Sequence, residues 1–280
     1  MKTVLAVVGD GTAGSVLETA VMAARPFDGC IVGLNALTTE YAVVFGGEMG
    51  FSVSSEVDRT LEREGQDRRE QARTLFHTVM GRQGIPVDGT GAGVTAEWRE
   101  ESGRQNAVVG TLGRIFDLIV VERPAKLASL AEATLEDALF ESGRPVLMVP
   151  QTVPKSFAEK IVIAWNNSTE TARTIAFAMP LLERAKSVEL ITIDGWDVPG
   201  PSGEEMTAML ARHNIPIAGR HLGARGRTTP GEMILAECRT FGADLLIKGA
   251  YTQSRLRQMI FGGATRHVIM EAEMPVLLAH

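Results

Sequence analysis

Apolar residues recur along this chain in short β-branched runs separated by longer stretches of helical period, and this alternation predicts its elements. Thr3 to Val8 is the first run, closed by Gly9-Asp10-Gly11, and a helical pattern follows from Ala13 to Ala24. A second apolar strand spans Cys30 to Leu34. Residues 55–84 are charged and periodic, with Val57, Leu61, Ala72, Leu75, Phe76 and Val79 as the inward positions of an amphipathic helix that Gly84 and Pro86 stop. Val94 to Trp98 predicts a strand, Gln105 to Arg114 a helix, and Asp117 to Val121 a buried strand. Ala131 to Phe140 predicts a helix and Val146 to Val149 a last strand. Strands alternating with helices in this way give a parallel sheet covered on both faces. Pro150 and Pro154 mark the following stretch, to Ser156, as a linker.

The plan then repeats. Lys160 to Ala164 matches Lys2 to Ala6 in position and type, and Val188 to Ile193 matches the second strand. Pro216 to His221 takes the place of the third strand, although Pro216 and Gly219 weaken it. Asp244-Leu-Leu-Ile247 matches Asp117-Leu-Ile-Val120, and Pro275-Val-Leu-Leu278 matches Pro145-Val-Leu-Met148. The same landmarks in the same order, twice, are the signature of an internal duplication. The expected boundaries are residues 1–150 for the first copy and 158–280 for the second.

Composition narrows the class. A net charge of −6 disfavours a broad footprint on nucleic acid or anionic lipid. The two cysteines, Cys30 and Cys238, are far apart and have no CxxC partner, so they indicate buried thiols rather than a zinc site or disulfide framework. The apolar run after Lys2 ends too early for a signal-peptide core, and no stretch has membrane-spanning length, so a cytoplasmic protein is expected.

The C-terminal stretch ADLLIKGAYTQSRLRQMIFGGATRHVIMEAEMPVLLAH carries the most specific signal. It resembles the end of a universal stress protein domain, where a strand leads into a glycine loop of the form G-x2-G-x9-G-[S/T], then a helix, then a strand introduced by Pro-Val. Here the pattern is Gly249, two residues, Thr252, nine residues, Gly262 and Gly263, with Ala264 next. The opening of the second half, KIVIAWNNSTETARTIAFAMPLL, is also similar to the family's first strand and helix, with Asn166 in place of the usual Asp. The resemblance implies two tandem doubly wound five-stranded parallel sheets of the adenine nucleotide alpha hydrolase-like kind, each ordered 3-2-1-4-5. It implies a stress-response binding or sensing module that holds an adenine nucleotide such as ATP, ADP or AMP. Asn166 and Ile193 would then lie at the nucleoside end, and Gly249, Thr252, Gly262, Gly263 and Ala264 at the phosphates. It also implies that the halves pair inside one chain as a pseudo-dimer, their last strands side by side, with a homodimer of chains as a further level.

The physical logic of such a loop is backbone approach without Cβ atoms and free N–H groups at a helix start, where the helix dipole favours phosphate. Thr252 departs from it, since a β-branched residue in a left-handed turn is unfavourable by roughly 1 kcal/mol or more. Gly263 lacks the hydroxyl of Ser or Thr, and Asn166 lacks the carboxylate. Lys248, Arg255, Arg257 and Arg266 are either added charge near the loop or solvated surface, and the second role is the commoner one for such residues.

The first copy is further from the pattern. Asp117 to Pro145 is three positions shorter than Asp244 to Pro275, and counting back from each Pro sets Glu132-Ala133 against Gly262-Gly263. Glu122-Arg123-Pro124 replaces the Gly249 turn, although Gly9-Asp10-Gly11-Thr12 keeps an Asp-Gly-Thr. This half is therefore expected to be a non-binding pseudo-domain. Two other classes compete with nucleotide binding. One is a structural or interaction protein that binds no nucleotide, favoured by Thr252, Gly263 and Asn166. The other is an enzyme of a similar sheet superfamily, for which the His-x-Gly-His, Ser-Gly-Gly-x-Asp-Ser, P-loop and HExxH signatures are all missing. No catalytic base suggests itself. Trp165, beside Asn166, is expected to pack against a helix rather than stack on a base, and His267 to lie on the surface or in packing.

Overall fold

A computed structural model describes residues 1–9, 13–37, 55–89, 92–126, 129–223, 226–250 and 263–280. Its first half runs β1 (Thr3–Val7), α1 (Ala13–Ala24), β2 (Cys30–Leu37), α2 (Ser55–Arg82), β3 (Thr95–Ser102), α3 (Gln105–Leu112), β4 (Leu118–Glu122), α4 (Leu130–Glu141) and β5 (Val146–Val149). The second half runs β6 (Lys160–Ala164), α5 (Thr169–Leu182), β7 (Ser187–Ile193), α6 (Gly203–Ala211), β8 (Ile217–Leu222), α7 (Pro230–Phe241), β9 (Leu245–Gly249), α8 (Ala264–Glu271) and β10 (Val276–Ala279). The pattern of apolar runs therefore places every described strand, including β8 in spite of Pro216 and Gly219.

Each half is a five-stranded parallel sheet ordered 3-2-1-4-5, as the resemblance implies. The halves do not form two separate sheets. β5 and β10 pair antiparallel, Val276 opposite Met148 and Leu278 opposite Val146, and the ladder runs unbroken as β3-β2-β1-β4-β5-β10-β9-β6-β7-β8. The reason lies in the edges. Each last strand is apolar on both faces and would otherwise leave a row of backbone donors and acceptors open.

Two layers of helices cover the sheet, and each layer's core runs through both halves. On one face α1, α2, α5 and α6 pack over alternate strand residues such as Val4, Ala6, Leu147, Ile163 and Leu277. On the other, α3, α4, α7 and α8 pack over Leu5, Val7, Met148, Ala164 and Leu278. Because all the described strands but the outer ones are buried on both sides, their apolar runs are continuous rather than alternating. Ala72, Phe76 and Val79 of α2 point inward as the periodicity predicts, with Leu75 partly buried beside them, whereas the side chains of Val57 and Leu61 lie outside those described. Phe76 reaches the sheet over Gly33, where a Cβ would come within 2.5 Å of its ring, and meets Trp98 with ring centroids 5.2 Å apart.

Side chains add to the junction between halves. Arg123, just beyond β4, donates through Nη1 to the carbonyl of Met270 in the last turn of α8. Phe140 of α4 meets the His280 ring edge-on, centroids 4.6 Å apart.

Candidate functional site

In the second half the carboxyl ends of β6, β7 and β9 converge with the start of α8. At the tip of β6 the chain turns through Asn166 and Asn167 into α5. Asn166 is buried at 4% exposure, and its Oδ1 accepts from the hydroxyls of Ser168 at 2.8 Å and Thr171 at 2.7 Å. Ser168 is also the helix cap, its Oγ accepting from the Thr171 N–H. The stretch from Val198 to Pro201 folds over this tip: the Val198 N–H bonds the Asn166 carbonyl, the Asn167 side chain bonds the Val198 carbonyl, and Trp165 Nε1 donates to the Pro201 carbonyl. Trp165 is thus a core residue, as expected of it. The Asn166 carboxamide oxygen is engaged in the turn that starts α5.

Ile193 closes β7 and is buried in the core on the α7–α8 face. Gly249 closes β9 and touches the start of α5 so closely that a Cβ would stand 2.5 Å from the Thr171 nitrogen. Its glycine is required by helix–strand approach. Thr252, Gly262, Arg255 and Arg257 lie outside the described residues, as does the Asp10-Gly11-Thr12 turn of the first half.

The start of α8 is where the two copies diverge. Gly263 is the N-cap, with extended backbone, no side-chain cap and no described residue within 4 Å of where a Cβ would be. Ala264 is the first helical residue. In the first half, α4 begins with Ser129 at its N-cap, and Ser129 Oγ accepts from the Glu132 N–H. Both helices end at a C-cap three residues before their Pro, Ser142 and Ala272, so α4 is longer by one turn at its start, and its cap Ser129 lies a turn ahead of the Glu132-Ala133 that the count sets against Gly262-Gly263. Counting back from Pro145 assumed helices of equal length, but α4 has 12 residues and α8 has 8. Glu132 still places a carboxylate in the first turn.

Beneath α8 lies a group for which the sequence left both roles open, added charge near the loop and, as the commoner one, solvated surface. Lys248, the penultimate residue of β9, is buried at 2% exposure. Its Nζ donates to the Gly249 carbonyl at 2.8 Å and to Thr265 Oγ1, in the first turn of α8, at 2.6 Å. The Trp196 ring lies over it with its centroid 5.6 Å away. Burial alone pushes its pKa down from the ordinary lysine value to about 7. The signal available in the sequence was a lysine inside a strand otherwise apolar on both faces. Arg266 is exposed, and His267 packs its Cβ against Gly231 of α7.

Two other polar clusters lie nearby. Arg220 of β8 pairs with Glu237 of α7 at 2.7 Å and stands 3.7 Å from Glu189 of β7. Burial first, and the Glu237 charge second, raise the Glu189 pKa. At the end of β8, His221 bonds Thr192 through Nδ1 and Asp194 through Nε2, all partly or fully solvent-facing. Among the described residues no cluster has the makings of a metal site, and no helix is long and apolar enough to cross a membrane.

The model of the universal stress protein family matches residues 223–280. Among solved structures the chain is similar to a universal stress protein from Archaeoglobus fulgidus DSM 4304, with a TM-score of 0.70 at 15% identity over 99% of this chain and 95% of that one. It is also similar to a putative universal stress protein from Pseudomonas aeruginosa UCBPP-PA14, with a TM-score of 0.56 at 17% identity over 100% and 93% of the two chains. At these identities the structural likeness speaks to fold alone. No curated protein sequence matches.

Proposed function

We propose that the chain is a member of the universal stress protein family, with the family match in residues 223–280 and the fold repeated in both halves, and that its C-terminal half binds an adenine nucleotide while the N-terminal half serves as the non-binding partner. The observation that carries this reading is the contrast between helix starts. α8 begins at a glycine with no side-chain cap and no described residue within 4 Å of where a Cβ would be, and α4 begins at a serine that already satisfies a free N–H. Phosphates would lie against Gly263 and Ala264 beyond the end of β9, and the nucleoside toward the tips of β6 and β7, near Asn166 and Ile193. In this reading Asn166 acts chiefly by shaping the turn into α5. The halves pair as two subunits would, through β5 and β10, and the unpaired Cys30 and Cys238 suit a reducing, cytosolic setting.

Calorimetry with ATP, ADP and AMP tests the proposal. The wild-type chain is expected to bind one nucleotide, and Gly263→Glu to abolish binding by placing a carboxylate at the phosphate end. No described residue stands within 4 Å of a Cβ at Gly263, and the substitution is expected to leave the fold intact, which circular dichroism checks. Binding that survives Gly263→Glu would put the ligand elsewhere. A second reading, a family member that binds no nucleotide and works through contacts alone, is favoured by the engagement of Asn166 Oδ1 with Ser168 and Thr171. Absence of binding heat and of any melting shift in the wild type would establish it over the first.

A further inference from the structure

Lys248 is a costly residue for its position. A lysine is seldom fully buried without a counter-charge, and a cation at the start of a helix meets the positive end of the helix dipole. Packing alone would be served by an apolar residue, and the first half has one: Val121, at the same place in β4, is buried. The two copies therefore differ both in the strand and at the start of the helix that follows it. Where the helix start is capped by Ser129 the strand carries Val121, and where it is uncapped at Gly263 the strand carries Lys248.

The hydrogen bonds of Nζ sharpen this. A neutral amine has two N–H donors, and the Gly249 carbonyl and Thr265 Oγ1 accept from both. An ammonium has a third, and among the described residues nothing accepts it. Nor does any described charge stand against it. Its neighbours in the sheet are Ala164 and Leu278. On α8, Arg266 and Glu271 are exposed, and His267 packs toward α7. Beside Trp196, Asp194 is paired with His221 and Asp197 is exposed. None of these contributes to the displacement of its pKa, for which burial is the whole cause.

Resting on the nucleotide reading above, we propose that Lys248 is the buried counter-charge of the C-terminal site, and that a phosphate-bearing ligand seated at the start of α8 binds with uptake of one proton at Nζ. The ligand brings a negative charge and an acceptor that the described residues do not supply, and the ammonium then offsets charge that the helix start alone would carry. The sign of the linkage follows. With the free group titrating at about 7, the empty site above that pH holds a neutral amine. A bound phosphate raises the pKa, so binding draws a proton from solvent and weakens as pH rises. The apolar Val121 makes the first half incapable of this.

The test is calorimetry of the full chain with ADP at about pH 8, where the β-phosphate is already ionised, in two buffers of different ionisation enthalpy. The wild type is expected to take up close to one proton per ADP bound. Lys248→Met, its fold verified by circular dichroism, is expected to lose that uptake. At about pH 6 its affinity should be lower by about a hundredfold, the effect of the roughly two-unit rise in pKa at Nζ that uptake of most of a proton at about pH 8 requires. Binding by the wild type without proton uptake overturns this inference and leaves the nucleotide reading standing, as does uptake that persists in Lys248→Met. Failure of both proteins to bind ADP at either pH overturns the nucleotide reading and this inference with it.

Discussion

At the scale of the residue, Lys248 also makes a prediction that needs no ligand. Its folded pKa of about 7 lies below the ordinary lysine value of 10.5. Between those two values the unfolded chain holds a proton that the folded chain does not, so stability rises with pH across that window. Below it both states are protonated and the full cost of burial applies. The slope approaches about 1.4 kcal/mol per pH unit. Urea unfolding of the wild type from pH 7 to 10 is expected to show this rise over and above Lys248→Met, which should be the more stable protein at pH 7. Equal slopes in the two proteins would mean that the amine reaches solvent. Glu189 works in the opposite sense. Its raised pKa means that the unfolded carboxyl ionises first, so its contribution declines as pH climbs through the folded value.

At the scale of the element, the contact between β9 and α5 is the tightest constraint on the site. Gly249→Ala would drive a methyl into the Thr171 backbone, which cannot move without unseating the Asn166–Ser168–Thr171 turn. A loss of about 1–3 kcal/mol is expected, measurable by urea denaturation. Much of this level was legible in the sequence. The strand β5 and the helix α1 fall where period and punctuation put them, because buried parallel strands are short uninterrupted apolar runs and amphipathic helices repeat on one face. β8 forms in spite of its glycine since Gly219 lies against Thr207 of α6, a contact no local pattern encodes. The start of α4 was illegible for a similar reason. Helix length is settled by caps and packing, so alignment through Pro145 misplaced it by a turn, while Ser129 supplied the true signal. The burial of Lys248 was hidden because a charged side chain suggests surface until the layer above it is known.

At the scale of the whole molecule, the continuous ladder is expected to make the halves unfold as one cooperative body. Each face has a single core cluster containing strands from both copies, and Arg123 and Phe140 reach across to Met270 and His280. A lesion at the joint should therefore be felt on both sides. Leu277, wholly buried opposite Leu147, is the place to make it. Leu277→Ala is expected to cost about 2–5 kcal/mol and to lower amide-exchange protection in β1 and β6 alike, within one unfolding transition. Loss of protection confined to the second half would mean that the halves unfold independently.

The antiparallel joint has a further consequence in the order of synthesis. β5 leaves the ribosome with its parallel neighbour β4 already made, but its other edge waits for β10, the tenth strand in chain order. More than a hundred residues separate the two, about ten seconds of translation at common rates. Through that interval the nascent first half carries an open, apolar strand edge from Val146 to Val149, the kind of edge that another nascent chain can pair with. The Pro150 and Pro154 that follow it shorten the pairing surface at one end, and the rest of its protection arrives only with β10.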